Sequence, residues 1–293
     1  MLEFILHVVM VLGLVCNIVA LGVILRQDVR KPDLSLAMIM ALSDMFLVTF
    51  KLVDSLCSFM LGEDSNALVN DQWKGVITTF LLQLSAVSVG GLAFLRFCII
   101  FLRCKISMVL WWSIFVSLQL LILGLLIVVG VEGQYKSLQL MSLSYPGINS
   151  GMWVVELCRN HLLASFIWPL VAVNISYPCI ARLYESNLRI FHIDKSIYKH
   201  TCFLYLKILV FTFVYNLVML PTFYVLLMET ITGQLQSPTM ESIAAVTLFS
   251  MTFFNPLVLL LLHQETFREL RELGFRLKYR FLALGPNGGL VAV

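Results

Sequence analysis

Five polar side chains stand deep in apolar surroundings. They are Asn17 in G-L-V-C-N-I-V-A-L, Asp44 in L-A-M-I-M-A-L-S-D-M-F, Ser85 and Arg96 three helical turns apart, and Asn255 in F-F-N-P-L-V-L. Groups of this kind are costly away from water, so each is a candidate for function. Asp44, Ser85, Thr252 and Asn255 supply a carboxylate, two hydroxyls and an amide. Oxygens of these kinds, where a fold gathers them, suit a hard monovalent cation such as sodium. The same groups also make a water-filled hydrogen-bond network in which Asp44 carries a proton, and the residues alone exclude neither. Arg96, in L-A-F-L-R-F-C-I-I-F-L, is a fixed cation that must reach water or an acceptor. Lys51 and Asp54 lie three apart on one helical face, either as a mutually neutralising pair or as part of a ligand pocket.

Catalytic patterns are missing from the sequence. It has no HExxH, no paired intramembrane aspartates and no GxSxG, and its five histidines are scattered. No enzyme is expected, and no cofactor beyond the sodium ion just raised.

The elements that hold these residues follow from composition. Of 293 residues, 60% are hydrophobic and 13% charged, and the mean hydropathy is +0.92. Soluble domains carry roughly twice that share of charge. Seven apolar segments emerge, at about 3–25, 34–61, 73–102, 107–131, 162–186, 200–229 and 240–263, and lipid forces such segments to be helical. The first has no basic stretch before it and no small-residue cleavage site, so it is expected to stay as a helix rather than be removed as a signal peptide. No internal repeat suggests the paired halves of a transporter, and the few intramembrane charges disfavour an ion path.

Charge gives the orientation. Arg26, Arg30, Lys31, Arg96, Arg103, Lys105, Arg182, Arg189, Lys195, Lys199 and a basic cluster from Arg268 to Arg280 fall at or near one set of connections; the other holds only Lys74, Lys136 and Arg159. The positive-inside rule then places the amino terminus outside. Phe267, Leu270, Leu273 and Leu277 recur at helical spacing among basic residues, predicting an amphipathic helix over 264–282 on the inner leaflet and a short tail over 283–293. The fold expected is an all-α, multi-pass membrane protein in the plasma membrane: a seven-transmembrane helix bundle with a short cytoplasmic eighth helix. Membrane lipid surrounds it, and nothing points to nucleic acid.

Taken in order, the motifs resemble those of the rhodopsin-like (class A) G-protein-coupled receptors. Asn17 is similar to the first-helix asparagine, A-L-S-D (41–44) to the second-helix L-x-x-x-D, and Arg96 to the third-helix D-R-Y arginine. F-I-W-P (166–169) with Tyr177 resembles the fifth-helix F-x-x-P and its inner tyrosine. Pro221 resembles the sixth-helix proline, and N-P-L-V-L (255–259) the seventh-helix N-P-x-x-Y. The departures are specific. Leu95 and Phe97 flank Arg96 in place of the acid and tyrosine, Met219 replaces a tryptophan, Leu259 replaces a tyrosine, and Met251 replaces a side chain that often helps to hold sodium.

The resemblance implies that Arg96, Tyr177, Pro221, Asn255 and Pro256 serve activation and coupling to a heterotrimeric G protein. An extracellular small-molecule or short-peptide ligand would bind in the outer half, where Lys51, Asp54, Thr78, Gln83, Met219, Phe223, Tyr224 and Glu241 are candidates. Thr78, where aminergic receptors carry an aspartate, argues against a biogenic amine. The family's outer disulfide would fall to Cys57 and Cys158. Without an adjacent acid, Arg96 is expected to be held loosely, giving higher basal activity than a Leu95→Asp variant. The alternatives are a divergent seven-helix protein that does not couple, acting as a decoy or a partner of another receptor, and, less favoured, a transporter.

Overall fold

The computed structural model describes residues 2–27, 31–61, 71–104, 107–131, 135–138, 143–146, 153–190, 195–232 and 237–262, with 268 and 272. The amphipathic segment expected over 264–282, Arg268 and Glu272 apart, and the tail over 283–293 lie outside the described residues. Seven helices follow in order: α1 (Leu2–Ile24), α2 (Pro32–Leu61), α3 (Asp71–Arg96), α4 (Met108–Val131), α5 (Trp153–Ile190), α6 (Lys195–Thr232) and α7 (Pro238–Leu262). All seven are long and apolar enough to cross a membrane. The protein is a helical bundle of multi-pass membrane type.

Local sequence sets several ends. α2 opens on Pro32 with Asp33 in its first turn, a rigid start and a negative charge at the positive end of the helix. Ser237 precedes α7 and its hydroxyl accepts the Met240 N–H at 3.4 Å. α3 does not stop at Arg96 but widens into one π-helical turn, Phe97–Phe101, closed by the Leu102 N–H on the Phe97 carbonyl at 3.1 Å. Arg103 then takes a left-handed backbone (φ 53) and Cys104 N–H returns to the Cys98 carbonyl at 3.0 Å, ending the helix. α5 begins at Trp153 rather than near 162, because Glu156, Asn160 and His161 dilute the apolar run without breaking the helix. Between α4 and α5 lies an unforeseen antiparallel hairpin, β1 (Tyr135–Leu138) and β2 (Leu143–Pro146), which packs on α3 and α5.

The helices form a ring closed by α1 against α7, with α3 meeting α2, α4 and α5. The main core draws on every helix but α4 and includes Met10, Leu47, Val89, Val173, Met219 and Phe249. Two smaller clusters join α4 to its neighbours. α4 itself is apolar all round and turns most of its surface outward, including Leu110, Ile114, Leu120, Leu121 and Val131.

Lipid tails compete for apolar contact, so close backbone approach and interhelical hydrogen bonds carry much of the packing. At Gly90 a Cβ would come within 2.9 Å of the Pro169 Cα and of Trp168. Gly90→Ala is therefore expected to lose about 1–3 kcal/mol of stability, seen as a lower melting temperature of the purified protein in detergent. Asn174 of α5 and Asn216 of α6 join those helices by reciprocal amide hydrogen bonds of 2.8 Å.

Candidate functional site

The bundle has two ends, one carrying Arg96 and the other the hairpin. Near mid-bundle, α2, α3 and α7 bring Asp44, Ser85 and Asn255 together, all three buried. Asn255 Nδ2 donates to Asp44 Oδ2 and to Ser85 Oγ, each at 3.0 Å. Ser85 also hydrogen-bonds the Asp44 carboxyl. Three helices are thus tied at one point by a carboxyl whose partners are both protein groups.

Thr252 belongs elsewhere. Its hydroxyl donates to the Phe249 carbonyl at 2.7 Å and lies 2.8 Å from where a Cβ on Gly13 would stand. Asn17 completes that junction, its Nδ2 donating to Thr252 O at 2.7 Å and to Gly13 O at 2.9 Å. Thr252 and Asn17 hold α1 against α7.

This geometry bears on sodium. Hard cations are held by several oxygen lone pairs. Here Asn255 turns its N–H group to the carboxyl, Thr252 faces α1, and Met251 offers no oxygen. The residues as placed do not fit a sodium site and form a hydrogen-bond network instead. The melting temperature of the protein is expected to be the same in sodium and in N-methylglucamine buffers of equal ionic strength. A rise specific to sodium would restore the ion.

At the Arg96 end a small, partly open recess of about 20 Å³ is lined by Met40, Val89, Leu92, Arg96, Tyr177, Phe211, Asn255, Val258 and Leu259. Asn255 therefore links the polar triad to the recess. Arg96 Nη1 donates to Tyr177 Oη at 3.4 Å, a long bond. Tyr177 meets Phe211 edge-to-face at 5.2 Å, and Phe211 in turn lies 5.8 Å from Tyr215. The Tyr215 hydroxyl is buried without a partner among the described residues. Leu95, beside Arg96 in sequence, is fully buried on the other side of α3 against Leu36, Val87 and Phe115. An aspartate at 95 would be stranded among those side chains, so Leu95→Asp cannot isolate the restraint on Arg96.

In the other half, Gln83 and Thr78 are fully buried; Gln83 Nε2 donates to Ser165 Oγ at 3.0 Å, and the Thr78 hydroxyl has no partner among the described residues. Asp54 pairs with Lys74 of α3 at 2.7 Å, a partner that sequence spacing on α2 could not supply. Lys51 is buried, Met219 sits in the core, and Phe223 and Glu241 are half-buried. Tyr224 is a correction. At 46% exposure it continues the outward stripe of Phe213, Leu217 and Leu220, so it lies outside any pocket within the bundle.

Cys57 and Cys158 are also corrected: both are free thiols. Cys158 packs with Val76, Ile122 and Leu162 between α3, α4 and α5, while α2, which carries Cys57, lies against α1, α3 and α7. Sequence reasoning missed Lys74, Ser165, Asn174 and Asn216. The two asparagines did carry a signal, since each is an amide inside an apolar run with a proline four or five residues later.

Fold and site together define a seven-helix membrane protein with a polar triad at its centre and an arginine-lined recess at one end. No model of a known protein family matches the chain, and no curated protein matches it in sequence.

Proposed function

We propose that the chain is a G-protein-coupled receptor that takes a small-molecule or short-peptide ligand in the half remote from Arg96 and activates a heterotrimeric G protein at the Arg96 recess. The observation that carries the reading is the recess itself. It places a guanidinium in a small, partly open recess between α3, α5, α6 and α7 that would have to widen to admit a partner, and Asn255 connects it to the polar triad that joins α2, α3 and α7. The charge asymmetry of the loops supports placing that end in the cytoplasm, with the amino terminus outside and the plasma membrane as the site of action. Ligand binding would act by shifting an equilibrium between closed and open recess.

The test is nucleotide exchange on a panel of Gα subunits, with and without candidate ligands. Exchange equal to that of mock membranes on every Gα would reduce the protein to a non-coupling partner or decoy. Tyr177→Phe is a sharper probe of the resting state than Leu95→Asp. Removing the hydroxyl that Arg96 reaches is expected to raise basal exchange about two- to fivefold, in line with a hydrogen bond of modest net worth. Unchanged basal exchange would show that Tyr177 does not hold Arg96.

A further inference from the structure

We infer that the Asn174–Asn216 amide pair is a clasp that restrains α6 from parting from α5 and so keeps the Arg96 recess narrow. Asn174 Nδ2 donates to Asn216 Oδ1 and to Leu170 O; Asn216 Nδ2 donates to Asn174 Oδ1 and to Thr212 O, all at 2.8 Å. Both amide groups are thereby fully used as donors. Asn174 lies on the exposed surface of the bundle, where lipid would offer an opened amide no replacement partner.

Position makes the pair more than a generic contact. Pro178 has no N–H to give the carbonyl of Asn174, four residues earlier, and Pro221 likewise leaves the carbonyl of Leu217, next to Asn216. The clasp thus bridges two helices at turns where each has lost a ladder bond and bends most readily. Tyr177 follows Asn174 by three residues and Phe211 precedes Asn216 by five, and these two rings form the α5–α6 wall of the recess. Any bend of α6 at Pro221 that widens the recess pulls on the clasp. Hydrogen bonds between membrane helices are individually modest, so the clasp can open as well as hold.

The test uses recess accessibility in purified protein, which requires no coupling, so failure here and failure of the receptor reading are told apart. A cysteine introduced by Val258→Cys on the recess wall is alkylated with a maleimide, and its peptide is followed by mass spectrometry apart from the native cysteines. Asn174→Ser and Asn216→Ser each keep a hydroxyl able to bond to its own helix four residues back while removing the exchange between helices. Each is expected to speed labelling about three- to fifteenfold, and the double variant no further than either single. A folded double variant that labels at the wild-type rate overturns the proposal, as do singles whose effects multiply. Should the serine pair not give a folded monomer, Asn174→Leu/Asn216→Leu is read by the same criteria.

Discussion

Arg96→Ala is expected to bring nucleotide exchange on every responsive Gα subunit down to the level of membranes lacking the protein. The guanidinium is the fixed charge in the recess lining, surrounded mostly by apolar side chains such as Val89, Leu92, Val258 and Leu259. A hydrogen bond from a charged donor in such a setting contributes roughly 1.5–3 kcal/mol, a ten- to hundredfold effect on engagement of a partner. Stability should change little, because Arg96 is half-buried and its bond to Tyr177 is long. Loss of exchange with an unchanged melting temperature is therefore the signature of a contact to the partner. Exchange that survives Arg96→Ala on any responsive Gα would remove Arg96 from the coupling machinery.

Asn255→Leu is expected to be the most destabilising single change in the bundle core, at about 3–5 kcal/mol. It strips from Asp44 and Ser85 the donor that serves both and leaves the carboxyl partly uncompensated at a buried three-helix junction. The cost falls on the stranded partner more than on the lost bond, so Asp44→Leu/Asn255→Leu should be milder than Asn255→Leu alone. Thermal unfolding of the three proteins in detergent checks the order. A single variant that melts with wild type would mean that water or Ser85 alone satisfies Asp44.

The seven helices were legible because lipid-length apolar runs broken by charge have no other solution in a membrane. Asp44, Ser85 and Asn255 were legible as a group only through the order of motifs, since their contacts join residues 170 and 211 positions apart. Facing was harder. Lipid is as apolar as the core, so α6 carries no polar stripe to phase it, and Tyr224 read as inward although it points out with Phe213 and Leu217. Lys74 escaped notice as the partner of Asp54 because only the α2–α3 packing brings the two together. Cys57 and Cys158 looked pairable by end of bundle alone, a criterion that ignores α3 between their helices.

The contrast between α4 and α5 has a consequence for how the chain is made. α4 carries one buried amide, Gln119, among 24 residues and can enter the bilayer on its own as it leaves the ribosome. α5 opens with Glu156, Asn160 and His161, carries Asn174 toward lipid, and is interrupted by two prolines. Its polar groups find their partners on helices made both before and after it: Ser165 on Gln83, Asn174 on Asn216. Stable insertion of α5 is therefore expected to draw on α6 as well as on α3. Truncation between the two should leave a chain that the cell's membrane quality control degrades, whereas truncation after α4 should leave one that stays in the bilayer.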